Sequence, residues 1–151
     1  MKPRAAITAL LWLLCAGLAA MWLYAAWFKI RDPAAFAKVI YHYRLLPDGL
    51  PVNLVAIVLP WFEVAIAGGL LLPRLRAGAV RLSTGLMVFF TLLIVTSIFR
   101  GIEGSCGCME GERIGWPKVA ENVVLTLASL AAWALDRAHR RVALANLAQC
   151  F

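Results

Sequence analysis

The segment Ala5–Phe28 runs for 24 residues without a charge. As a helix rising 1.5 Å per residue it reaches roughly 36 Å, enough to cross a ~30 Å hydrocarbon core with some tilt. Lipid offers no hydrogen-bond partner to a backbone, so a segment of this kind is restricted to a helix that satisfies its own N–H and C=O groups. Lys2 and Arg4 precede it, and Lys29 and Arg31 follow. The run is longer than the apolar core of about 7–15 residues in a cleaved secretory signal. Leu14 before Cys15 is not the small residue of a lipoprotein cleavage site. An uncleaved membrane span is expected.

The rest of the chain needs the same solvent. Hydrophobic residues make up 63% of the 151 positions and charged residues 15%, against roughly 45–50% and ~25% in soluble domains. The net charge of +7 does not point to nucleic acid, because Lys and Arg fall in short groups between long apolar runs, the usual flanking of membrane spans. The expectation is an all-α, polytopic membrane four-helix bundle in one domain, 1–151, with spans at about 5–29, 52–72, 77–99 and 117–136. Pro60 is expected to kink the second span, and Arg81 to snorkel near the entry of the third. Gly68, Gly69 and Gly85 are expected to permit close helix approach. Lys118, Glu121 and Asn122 occupy the first turns of the fourth span, and Asp136, Arg137, Arg140 and Arg141 end it. The tail beyond reads as a short surface helix.

Between the first two spans, Asp32-Pro33 is a helix-start signature. Phe36, Val39, Ile40 and Tyr43 then recur at helical spacing with Lys38 and Arg44 off the stripe. A short interfacial helix is predicted, ending before the turn sequence Pro47-Asp48-Gly49, with Tyr41, His42 and Tyr43 as interfacial anchors. An even number of spans puts both termini on one side. That side carries eight Lys and Arg against seven on the other, which favours cytoplasmic termini.

The sharpest chemical feature lies in the loop 100–116: Cys106-Gly107-Cys108 followed by Met109. Two thiols separated by one Gly are close in space whatever the fold. A strained, exposed disulfide there is oxidising and exchangeable, and a structural staple gains little from so short a loop. Redox exchange is the favoured reading. Soft-metal binding is the alternative, since two thiolates and the Met109 thioether suit Cu(I); no His lies nearby in the chain to complete a zinc site. A third reading is two surface cysteines without a role. Cys15, inside the first span, reads as a small apolar residue. Cys150 falls across the membrane from Cys106 and is not its bridging partner.

Glu63 sits about twelve residues into the second span, where ionisation is costly. Lys29, Arg31, Arg81 and Asn122 are its candidate partners. It serves either as a helix-packing hydrogen bond or in proton-linked chemistry, and the residues leave both open.

Four segments together resemble the MauE/DoxX family of small four-helix membrane proteins. They are Phe28-Lys29-Ile30-Arg31-Asp32-Pro33, Tyr43-Arg44-Leu45-Leu46-Pro47, Leu59-Pro60-Trp61-Phe62-Glu63 with Gly68, and Arg100-Gly101 with Cys106-Gly107-Cys108, Trp116 and Asn122. The resemblance implies an inner-membrane protein that works with a periplasmic thioredoxin-like or redox-complex partner. In the MauE branch it implies a part in methylamine utilisation, helping to mature the disulfide-rich small subunit of methylamine dehydrogenase. DoxX-type relatives imply a non-catalytic subunit of a quinone-linked oxidoreductase, with quinone as a possible cofactor. The sequence departs from the family where Met109-Glu110-Gly111 follows the cysteines in place of Phe-Gly, so the general redox role carries over better than the methylamine role. With one cysteine pair, an accessory or assembly component is expected rather than a complete enzyme.

Overall fold

The computed structural model describes residues 3–43, 49–102, 104 and 113–148. Its helices are α1 (Pro3–Arg31), α2 (Pro33–Tyr43), α3 (Leu50–Leu71), α4 (Arg76–Phe99) and α5 (Trp116–Ala148). Four of them, all but α2, are long and apolar enough to cross a bilayer. They close a ring in which α1 touches α3 and α5, and α4 touches the same two, while α2 packs on α3. This is an all-α polytopic membrane bundle.

Its interior is apolar and so is its exterior. Leu11, Cys15, Leu18, Trp22, Ile66, Leu70, Val80, Met87 and Ala132 form the main core. Outside, Leu13 (71% exposed), Trp61 (60%), Leu92 (57%) and Leu127 (59%) face away from the protein. A belt of that kind is stable against acyl chains and costly against water. Because lipid supplies little drive for helix association, small residues and hydroxyls hold the helices together. Trp22 Nε1 donates to Ser83 Oγ at 2.9 Å, Ser129 Oγ donates to Ser83 Oγ at 3.2 Å, and Thr84 Oγ1 donates to Ser129 Oγ at 3.1 Å, tying α1, α4 and α5.

The expected glycine contacts divide. A Cβ on Gly69 would stand 2.8 Å from Ala79 Cβ, whereas Gly68 and Gly85 have nothing within 4 Å. Only Gly69 holds a close approach, between α3 and α4. Gly69→Ala is therefore expected to cost about 1–3 kcal/mol by overpacking. Gly68→Ala, with open space and a better helix former, is neutral or stabilising. Unfolding of both variants in one detergent checks this, and equal destabilisation would rule out the contact.

The helix ends follow local chemistry. Asp32 Oδ1 accepts the Ala35 amide at 2.8 Å and caps α2. Gly49 N donates to the Tyr41 hydroxyl at 3.1 Å, so Tyr41 also holds the start of α3. At the end of α4, Gly101 takes φ +66°. Gly101 N bonds Ile98 O and Ile102 N bonds Ser97 O, both at 3.0 Å; this is a Schellman cap, in which glycine tolerates the left-handed residue. Pro60 lies inside an uninterrupted α3.

The tail corrects the expectation of a separate surface helix: α5 continues without a break to Ala148. Charge ends the lipid-compatible stretch but not the helix, since no Gly or Pro falls between Lys118 and Ala148. Arg140 Nε bonds Asp136 Oδ2 at 2.8 Å one turn apart, and Arg137 lies over the Trp133 ring at 4.3 Å. Both contacts support the helix through the charged region. Arg76 is likewise not a solvated flank. It is 4% exposed, with its guanidinium 4.1 Å from the Trp12 ring centroid and Nε donating to Leu70 O at 3.2 Å.

Candidate functional site

Lys29 stands in the last turn of α1 and Glu63 in the middle of α3, 34 positions apart in the chain. The bundle brings them into a buried ion pair in which Lys29 Nζ donates to Glu63 Oε1, with side chains 4% and 0% exposed. The Lys29 ammonium also lies 5.2 Å from the centroid of Phe36 on α2 and 5.4 Å from that of Phe90 on α4. Ring faces attract a desolvated cation, so this one charge gathers four helices. In an apolar medium such a pair persists because removing either partner would leave the other charge uncompensated.

A small cavity of about 20 Å³ adjoins the pair, lined by α1, α3, α4 and α5. Trp22, Met87, Phe90 and Leu125 give it apolar walls; Lys29, Glu63, Lys118 and Asn122 give it polar ones. Two atoms on the polar side have no protein hydrogen-bond partner: Glu63 Oε2 and Asn122 Nδ2. Leaving such atoms unpaired in a protein interior costs about 1–3 kcal/mol each. Lys118, 5% exposed, also pairs with Glu121 Oε1 at 3.0 Å, and Glu121 reaches the surface. Lys29 ends α1, while Lys118 and Asn122 begin α5, so the cavity lies at the bundle end that carries the loop 100–116. A cavity of about 20 Å³ has room for a water.

The neck of that loop is the second feature. Ile114 N donates to Gly104 O at 2.9 Å. Phe99 and Trp116 meet edge to face at 6.4 Å. Arg100 Nη1 donates to Tyr43 O at 3.0 Å, joining the end of α4 to the end of α2. Gly104 has φ +153°, and a Cβ there would lie 3.1 Å from His42 Nε2. His42, expected as an interfacial anchor, therefore packs at the loop neck, two positions in the chain before Cys106.

Of the residues singled out from sequence, the structure unites Lys29, Glu63 and Asn122 around one cavity. Arg31 and Arg81 are exposed instead, with Arg31 5.7 Å from the Trp27 ring. Cys15 is free and fully buried in the core. Cys106, Cys108, Met109 and Cys150 lie outside the described residues. Lys118 was missed as a site residue because it resembles the charged flank of a span. Its spacing four residues before Asn122 puts both on one helix face, a signal already present in the sequence.

Comparison with known proteins matches residues 7–135 to the family described as methylamine utilisation protein MauE. The chain is 40% identical over 141 residues to the methylamine utilization protein MauE of Paracoccus versutus, covering 91% of this chain and 75% of the relative. It is 34% identical over 125 residues to that of Paracoccus denitrificans, covering 80% and 67%. A third, from Methylorubrum extorquens, is 38% identical over 112 residues, covering 71% and 60%. No solved structure matches.

Proposed function

The chain belongs to the MauE family, and from that premise we propose that it is an inner-membrane accessory protein of methylamine utilisation. Its Cys106–Cys108 pair exchanges disulfides with a thioredoxin-like or related redox partner on the periplasmic side, in support of methylamine dehydrogenase maturation. In each exchange a thiolate attacks a disulfide sulfur through a mixed disulfide. Two electrons and two protons pass from the dithiol to the disulfide, leaving one partner oxidised and the other reduced. The termini and the α3–α4 turn face the cytoplasm in this reading.

The observation that carries it is the anchoring of the cysteine loop. The segment bearing both thiols leaves a neck closed by the Gly104–Ile114 bond and tied to α2 through Arg100 and Tyr43. Fixing both ends of the segment lowers the ordering cost of engaging a soluble partner there. The test is the redox state and sidedness of the pair, read with a bulky impermeant maleimide in native membranes of variants lacking Cys15 and Cys150. The expected result is no labelling until reduction, then labelling from the periplasmic side. Free labelling without reduction, or labelling from the cytoplasm alone, overturns the proposal. Tight Cu(I) binding by an unoxidised pair then makes metal handling the better reading.

A further inference from the structure

The cavity beside the Lys29–Glu63 pair is built for an occupant. Two of its lining residues carry buried atoms without a partner, the acceptor Glu63 Oε2 and the donor Asn122 Nδ2, on side chains 0% and 3% exposed. One small hydroxylic molecule satisfies both, donating to Glu63 and accepting from Asn122. The volume, about 20 Å³, matches one water, which needs ~10–15 Å³ and at least two polar partners. No described protein group hydrogen-bonds either atom.

We propose that this cavity is a water-binding site that hydrates the intramembrane carboxylate and lets the Lys29–Glu63 pair exchange protons with the aqueous phase at the cysteine-loop face. Intramembrane carboxylates facing a hydrated cavity are the usual elements of proton relays. The route runs from Glu63 through the bound water, which Asn122 holds in place, to Lys118 on the same cavity wall, and then to Glu121 at the surface. A proton that reaches Glu63 leaves the bound water, and one from the aqueous phase replaces it there. On release the steps reverse, so the water is conserved and the pair changes by one proton. Asn122 lies six residues beyond the start of α5, about 9 Å along the axis, so the route is short. The inference does not depend on the thiol chemistry.

The test uses the full isotope-labelled chain in phosphatidylcholine–phosphatidylglycerol bilayers, with magnetisation transferred from water to carbon in solid-state NMR. The expected result is that the Glu63 carboxyl signal builds up several-fold faster than that of buried Ala132 and approaches that of Glu121. Build-up no faster than Ala132 overturns the proposal on the wild-type chain alone. Asn122→Leu, which removes the donor and fills the space, is expected to abolish the Glu63 transfer while leaving Glu121 unchanged. It is also expected to slow deuterium exchange of the Lys29 ammonium several-fold. Transfer and exchange that survive in folded Asn122→Leu rule out the bridged water.

Discussion

Glu63→Leu alone is expected to destabilise the bundle by about 3–5 kcal/mol, whereas Lys29→Met combined with Glu63→Leu recovers most of that loss. The single change strands an ammonium that is 4% exposed, with the Phe36 and Phe90 ring faces beside it to offset its charge. The double change removes both charges and leaves an apolar contact of similar volume among α1, α3 and α4. Reversible unfolding in mixed micelles measures the coupling as the departure of the double variant from the sum of the singles. Additive losses would mean that the two residues do not share one interaction. The same variants separate packing from proton chemistry. A double variant that is stable yet inactive assigns the pair to function, and one that is stable and active assigns it to assembly. Lys29→Arg is a sharper probe, because a planar, strongly basic guanidinium is not equivalent to an ammonium at a buried site.

Cys106→Ser and Cys108→Ser are each expected to abolish the cellular function, and the double variant is expected to be no worse than either single. In the proposed exchange both thiols form one two-electron couple, so losing one loses the couple, and residues acting as a unit are not additive. Stability should change little, since closing so short a loop is worth about 2 kcal/mol at most. Cys15→Ser is the control for thiol loss elsewhere, because Cys15 is buried in the core. A Paracoccus denitrificans strain lacking its own family member provides the readout, scored as methylamine-dependent growth with membrane levels of each variant measured in parallel. Growth restored equally by wild type and by both serine variants would remove the thiols from the mechanism, and the protein would then act as a scaffold.

His42→Ala is a smaller and more local prediction. Its ring packs on Gly104 at the loop neck, so the change should loosen the neck and speed alkylation of the reduced cysteines while leaving the unfolding midpoint nearly unchanged. Unaltered alkylation kinetics would detach His42 from the loop. Its place beside Tyr41 and Tyr43 in a short amphipathic helix makes this histidine an interfacial anchor in the sequence, and more than sixty positions separate it from the cysteines; the approach to Gly104 exists only once α2 has folded back beside the end of α4.

Much of the architecture is a local property of the chain. Apolar length identifies four spans, because a bilayer demands enough predominantly apolar residues in a row and a helix is the solution open to each. The Asp32 cap and the Gly101 termination are local too, as each depends on the conformational chemistry of a few adjacent residues. Glu63 was conspicuous for the same reason: a lone carboxylate inside an apolar segment costs too much to be incidental. Only the tertiary structure decided which of four candidate partners it meets, that Lys118 shares its cavity, and that Gly69 rather than Gly68 touches Ala79. It also decided that α5 runs on past its charges to Ala148. Hydropathy adds up residue by residue and says how many helices enter the membrane. Their depth, rotation and neighbours are set by packing between segments far apart in the chain, and no local sum contains that information.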